Sequence, residues 1–247
     1  MQTAGTTGYC HSVETFGTVD GPGVRYVLFL AGCNLQCRFC HNPDTWAPAG
    51  KAITPEAVLA DYEKYRHYYQ LSGGGLTVSG GEPLLQAEFV AGLFEACREK
   101  GIHTVLDTAG FAPPDSLAKV IRWADAVQFS LKAVDAAKHH RLTGHDNRII
   151  LDNLMYAAGQ TRLTVRYVII PGINNSAQDL ADLARVVHSL PGPVDTELLA
   201  YHAMGRNKWE AMGLPYALDN VPAATAADLA EAKRRLELRG ITVAAQE

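Results

Sequence analysis

The sequence has no apolar run long enough to cross a bilayer; the longest, Tyr26 to Cys33, falls far short of a membrane span. Its first eight residues, Met1 to Gly8, hold neither Lys nor Arg and no apolar stretch, so they lack the parts of a secretory signal. There is no basic block, and aromatics reach only 8%, which argues against an extended nucleic-acid surface. Charge of one sign is also missing: 22 Lys+Arg against 26 Asp+Glu leave −4, too little to select a partner. No low-complexity stretch, Pro/Gly-rich linker or repeat divides the 247 residues. The expectation is a single domain over 1–247 with a core from about 16 to 240, cytoplasmic, with no membrane and no nucleic-acid partner.

What is present is a core and five cysteines. A hydrophobic content of 47% excludes disorder. The cysteine count is odd, in a chain too long to need disulfides for stability. In a reducing compartment, closely spaced thiols point to metal ligation or redox chemistry.

Short β-branched and aromatic runs alternate with helical patterns. Strands are expected at Val24 to Leu30, Leu76 to Ser79, His103 to Asp107, Ala126 to Leu131, Thr164 to Ile170 and Glu197 to Tyr201. Helices are expected after the Thr54-Pro55-Glu56 start signal, from Gln86 to Lys100 before Gly101, from Ser176 to Leu190 before Pro191, and from Thr225 to Arg239 before Gly240. Alternation of this kind gives an α/β fold with parallel strands and right-handed crossovers. The active site of such a fold lies at the C-terminal ends of its strands. Polar residues are expected at five of those ends: Cys33, Ser79 to Glu82, Asp107 and Thr108, Ser130 and Lys132, and Tyr201 and His202.

Cys33, Cys37 and Cys40 give the spacing C-x3-C-x2-C in a loop that leaves the first of these strands. Three thiolates within eight residues can wrap one centre. A zinc site with His41 as fourth ligand is disfavoured, because adjacent Cys40 and His41 do not easily reach one tetrahedral ion. The run Cys37 to His41 matches C-x-x-C-H of c-type haem, but that leaves Cys33 over, and export, which such attachment follows, is not expected. An iron–sulfur cubane with three cysteinyl irons fits better, and its fourth iron then lacks a protein thiolate. Cys97 lies in register with Val90 and Leu93 on an apolar helix face, and Cys10 stands ahead of the first expected strand. Both are read as packed thiols.

Cys33 to Cys40, followed by His41-Asn42, resembles the signature of radical S-adenosylmethionine (SAM) enzymes. More narrowly, the chain resembles the glycyl-radical-enzyme activases of the pyruvate formate-lyase (formate acetyltransferase) type, from about Gly8 to about Gly240. The segments that carry the resemblance are Gly17 to Arg25, Cys40 to Trp46, Ser79 to Pro83, Leu106 to Thr108, Arg166 to Val168, Pro171-Gly172 and Tyr201-His202.

The resemblance implies a partial (β/α)6 TIM-like barrel, a [4Fe-4S] cluster on Cys33, Cys37 and Cys40, and SAM chelating the open iron. SAM contacts are implied for the main chain of Phe39, Cys40 and His41, for Gly81 and Glu82, for Ser130, Leu131 and Lys132, and for His202. Asp107 and Arg166 are implied beside the methionyl group. The implied protein substrate is a glycine loop of pyruvate formate-lyase, gripped near Asp20, and the implied electron donor is flavodoxin or ferredoxin. Asp20 to Gly23 also reads as a plain tight turn.

Two positions depart from the family pattern. Ser130 stands where similar activases carry Asp, a ligand for a monovalent cation beside the SAM carboxylate; the expectation is a cation held more weakly. Ala109 stands where a small polar residue is common. The short segment from Trp46 to Thr54 has no cysteines, so it leaves no room for an extra ferredoxin-like insert. Two other classes compete with the activase: a radical SAM enzyme for a small molecule, and a structural zinc protein.

Overall fold

The computed structural model describes residues 6–244; the stretch Met1 to Gly5 and the last three residues lie outside the described part, including most of the polar N-terminal segment noted above. The chain forms two compact units. The first comprises the chain through Asn34, Thr45–Gln128 and Gln160–Arg162; the second comprises Leu35–Asp44, Phe129–Gly159 and the chain from Leu163 onward. Neither is a consecutive stretch of sequence.

The first unit holds strands β1 (Gly8–Gly17), β2 (Arg25–Leu30) and β3 (Lys51–Ile53), helices α1 (Pro55–Tyr62) and α2 (Arg66–Ser72), strand β4 (Gly75–Gly80), helix α3 (Ala87–Glu99), strand β5 (Thr104–Thr108) and helix α4 (Pro114–Ile121). Strand β6 (Ala126–Leu131) has residues in each unit. The second unit continues with α5 (Ala136–Thr143), α6 (Arg148–Ala158), β7 (Arg162–Ile169), α7 (Ala177–Ser189), β8 (Val194–Ala200), α8 (Arg206–Ala211), α9 (Ala226–Glu237) and β9 (Val243–Ala244). The hydrogen-bonded strand order is β3-β1-β2-β4-β5-β6 through the first unit and β6-β7-β8-β9 through the second.

All six expected strands form, as β2, β4, β5, β6, β7 and β8. Parallel pairing is seen for β2 with β4, β4 with β5, β7 with β8 and β8 with β9. The all-parallel expectation is corrected at one edge, where β1 and β3 run antiparallel to their neighbours. Cys10 accordingly lies within β1 and not ahead of the first strand. Strand β1 escapes a pattern reading because it is bulged against β2, with Tyr9 and Phe16 turned to solvent.

The helix signals act as their chemistry requires. Thr54 caps α1 by accepting from Ala57 N at 3.3 Å. Ser176 and Thr225 each build a capping box, with Asp179 and Asp228 respectively. In α3, Phe89, Val90, Leu93, Phe94 and Cys97 recur at helical spacing and are fully or almost fully buried. Burial pushes the Cys97 thiol up to about 12, so it stays protonated and inert. The buried Cys10 thiol donates to Ser12 O at 3.4 Å and its pKa is likewise raised by burial.

The first unit is pinned at the N-terminal end of β2 by Arg25, which is wholly buried. Its guanidinium donates to Thr77 Oγ1 (2.6 Å), Pro22 O (3.0 Å), Leu76 O (2.8 Å) and His103 O (3.2 Å). Thr77 in turn donates to Asp20 O at 2.7 Å. The turn Asp20 to Gly23 is therefore fixed by its carbonyls. Gly23 has φ +66, and a Cβ there would stand 2.5 Å from Gly74 N and Ser72 O, so only glycine fits. Burial lowers the Arg25 pKa to about 10, which leaves it charged at neutral pH. Arg25→Met strands several buried carbonyls. We expect a loss of about 3 kcal/mol in urea denaturation, and an unchanged midpoint would refute the pinning role.

Candidate functional site

The cysteine loop leaves β2 at Gly32, whose φ of +99 turns the chain out of the strand. In the first unit its base is closed by Gly32 N donating to Thr45 O at 2.7 Å and Cys33 N donating to Trp46 O at 3.1 Å. In the second unit Gln36, with φ +47, is the one non-glycine residue in the left-handed region among the described residues. A turn follows, Cys40 N donating to Cys37 O at 3.0 Å, and Arg38 N is anchored on Leu142 O at the end of α5 at 2.8 Å. Cys33, Cys37 and Cys40 are each half-buried, which suits thiolates that must meet a cofactor.

Three strand ends meet in the first unit. Gly81 N donates to Leu30 O (2.9 Å) and Glu82 N to Gly32 O (2.8 Å), so the Gly80-Gly81-Glu82 segment lies directly on the root of the cysteine loop. A Cβ at Gly81 would stand 2.1 Å from Gly32 O. The glycines are thus required by this backbone approach before any ligand is considered. Asp107 Oδ2 accepts from Ser79 Oγ at 2.7 Å, which brings the β4 and β5 ends together.

Glu82 is held by partners within the first unit. Its carboxylate is almost fully buried and accepts from Leu84 N (3.1 Å), Thr108 Oγ1 (2.5 Å) and Ala109 N (3.0 Å). It braces the β4 and β5 ends. Ala109 needs no polar side chain here, because its N–H supplies the contact.

Three further strand ends meet in the second unit. The buried Asn174 receives Ile170 N on Oδ1 (2.8 Å) and donates to Val168 O (2.8 Å) and to Lys132 O (3.3 Å), tying the β6 exit to that of β7. Leu131 is buried, while Ser130 and Lys132 are half-buried. Lys132 Nζ lies over the Phe39 ring, 5.9 Å from its centroid. Arg166 Nε donates to Glu197 Oε2 at 2.7 Å, from directly opposed positions on β7 and β8. His41 Nε2 donates to His202 O at 3.0 Å, and the two imidazoles stack with centroids 4.1 Å apart. Burial first, then the neighbouring His202 and Lys132, lower the His41 pKa, so the ring is neutral with its proton on Nε2. His202 Nδ1 is buried with no hydrogen-bond partner.

The sequence reading missed several residues that this geometry brings forward. Asn174, Thr108 and Glu197 support the strand ends, and Lys208 and Trp209 of α8 contact the cysteine loop. His139 and His188 take structural roles: His139 is buried and bonds His145 O at 2.9 Å, and His188 bonds Arg239 O at 2.7 Å.

The model of the radical SAM superfamily matches residues 27–184, more than half of the chain. The chain belongs to that superfamily. Within it, this radical SAM protein is 38% identical over 242 residues to the pyruvate formate-lyase-activating enzymes of Staphylococcus epidermidis and Staphylococcus aureus, covering 94% of this chain and 96% of theirs. It therefore belongs to the family of these activating enzymes. A domain of the pyruvate-formate lyase-activating enzyme from Bacteroides vulgatus superposes with a TM-score of 0.59 at 26% identity, over 70% of this chain and 99% of that one. A radical SAM methyltransferase from Sphaerobacter thermophilus shares the fold at a TM-score of 0.66 and 18% identity, over 93% of this chain and 71% of that one. The α/β fold of the radical SAM type, expected from the resemblance, is the fold of these proteins.

The Glu82 brace has a pH signature. Burial raises its pKa above the ordinary 4.5 against the lowering effect of its hydrogen bonds, so the native state holds the proton more tightly than the unfolded chain. Stability from this group is complete below 4.5 and is lost as pH rises through the interval up to the folded value. In paired thermal melts, the parent will therefore gain on Glu82→Gln as pH is lowered toward 4.5. A difference that does not change with pH contradicts the assignment.

Proposed function

We propose that this chain activates pyruvate formate-lyase by generating a glycyl radical in it. The observation that carries this reading is the 38% identity to activating enzymes along 94% of the chain, since the cysteine motif alone marks only the superfamily. In this reading Cys33, Cys37 and Cys40 ligate three irons of a [4Fe-4S] cluster and SAM occupies the fourth. The donor set suits that centre: three half-buried thiols on a loop shaped by Gly32 and Gln36; His202, stacked on His41, carries an unpartnered buried ring nitrogen. Among the described residues no three His, Cys, Asp or Glu side chains converge as ligands of a single ion, whereas a cubane spreads its thiolates over separate irons. When bound, the reduced cluster supplies the electron that splits SAM into methionine and a 5′-deoxyadenosyl radical, which takes hydrogen from a glycine Cα.

The chain's own residues bind and orient. Lys132, half-buried on the Phe39 ring, offers an ammonium to the SAM carboxylate. Phe39, Cys40 and His41 offer main chain, and His202 offers Nδ1, to the adenosyl end. Gly81 offers backbone, with Glu82 bracing it from behind. In the second unit Arg166, oriented by Glu197, is assigned to the methionyl group in this reading, as are Ser130 and Leu131; in the first unit Asp107, held by Ser79, is assigned likewise. A neutral His41 adds no charge beside the thiolates. The partner presents a glycine loop, which must open locally to reach the radical. The electron donor is flavodoxin or ferredoxin, and the compartment is the cytoplasm. Among the described residues no helix is long and apolar enough to cross a membrane.

Anaerobic incubation of the iron-loaded chain with SAM, a reductant and pyruvate formate-lyase will give the glycyl doublet in electron paramagnetic resonance. SAM cleavage without that signal would favour a small-molecule substrate, and zinc without iron would end both radical readings. Cys33→Ala, Cys37→Ala and Cys40→Ala will each abolish 5′-deoxyadenosine formation, whereas Cys97→Ala will keep it. Turnover at the parent rate by any of the first three refutes the ligand set.

Ser130 removes a full charge and a hard oxygen from the cation position described for related activases. Potassium and sodium will therefore stimulate the parent less than they stimulate Ser130→Asp. Superimposable cation titrations of the two proteins would sink this proposal.

A further inference from the structure

The segment from His202 to Trp209 meets the end of the cysteine loop at every residue from Cys40 to Asp44 except Pro43. Trp209 Nε1 donates to Cys40 O at 2.9 Å, and the indole is almost fully buried, edge-on to Tyr216 at 5.5 Å. Lys208 Nζ donates to Asn42 Oδ1 (2.8 Å) and to both oxygens of Asp44 (3.1 and 3.0 Å). His41 is held by His202 O and stacked on its ring. Gly205 lies so close that a Cβ would stand 2.7 Å from His41 Cα and His41 O. Tyr216 is fixed in turn by the hydroxyl of Tyr201, 3.0 Å away at the exit of β8.

The geometry points to this segment as a clamp on Cys40, with Trp209 and Lys208 as positioning residues for the cluster. The inference rests on the reading of Cys40 as an iron ligand. A thiolate can reach an iron only from a narrow range of Cα positions, and Cys40 lies in a loop without helix or strand to fix it. Its carbonyl is fixed by a buried donor, and Asn42 and Asp44, two and four residues on, are held by one ammonium. Groups that orient a ligand without touching the metal are known to govern how firmly the metal is kept. The clamp thus makes cluster retention depend on a helix more than 160 residues away in sequence.

The test compares reconstituted parent, Trp209→Phe, Lys208→Met and Lys208→Arg under anaerobic conditions. The readout is the decay of the iron–sulfur charge-transfer absorption after addition of excess ferrous chelator, alongside the melting temperature of each iron-free protein. Trp209→Phe and Lys208→Met will release iron about tenfold faster than the parent, and Lys208→Arg will stay close to it. Release at the parent rate by both variants overturns the clamp, including where the iron-free proteins melt lower. If Trp209→Phe fails to fold, Lys208→Met decides alone, because Lys208 is partly exposed. A parent that takes up no iron overturns the cluster reading itself, and the clamp with it.

Discussion

A loop with no regular structure can hold three thiols in place only if its backbone groups are bound by other segments. That constraint governs the chain from Gly32 to Trp46, whose regular structure is one short 3-10 turn, Pro43–Thr45, past the last of the three cysteines. Its base is closed by Thr45 O and Trp46 O, its middle is anchored on Leu142 O, and its end is gripped by Trp209 and Lys208. Each of these is an ordinary hydrogen bond, worth about 1 kcal/mol in isolation. Their combined effect is geometric: they turn a flexible peptide into one whose few positive-φ positions, Gly32 and Gln36, decide where the side chains emerge.

The same economy explains Gly80-Gly81-Glu82. A glycine pair followed by an acid reads from sequence as a ligand cradle, and half of that reading concerns the ligand. The structure gives the residues an earlier duty. Gly81 must be bare because Gly32 O sits where its side chain would be, and Glu82 is spent on Thr108, Leu84 and Ala109. A buried carboxylate with three donors is costly to remove and hard to replace. Its place between two strand ends and the cysteine loop makes a defect there a defect in the whole rim of the first unit.

Local patterns carried the parts of the fold that local physics decides. The six central strands, the caps at Thr54, Ser176 and Thr225, and the apolar face of α3 were all legible, because periodicity and capping act over a few residues. The cysteine spacing was legible for the same reason. What stayed hidden depends on partners far apart in sequence. Arg25 looks like a surface charge until its four carbonyl and hydroxyl partners are seen, and Asn174 looks like a loop residue until Ile170, Val168 and Lys132 converge on it. Nothing in Arg206 to Ala211 announces a contact with Cys40. Strand β1, next to the short edge strand β3, was hidden by its bulges and by aromatic side chains facing solvent.

The pairing of Arg166 with Glu197 shows how the second unit treats charge. The two residues face each other across β7 and β8, both largely removed from solvent. Such a pair recovers little more than the hydration it gives up, so stability alone is a weak reason for it. Orientation is a better one: a guanidinium bonded through Nε has its plane fixed, and the remaining N–H groups point in set directions. Lys132 is handled differently, its ammonium lying over the Phe39 ring instead of against a carboxylate. One cation is thus held by an acid and another by an aromatic face. The second arrangement leaves a positive charge uncompensated by any ion pair among the described residues, which is the condition a site needs if it is to receive an anionic group from outside.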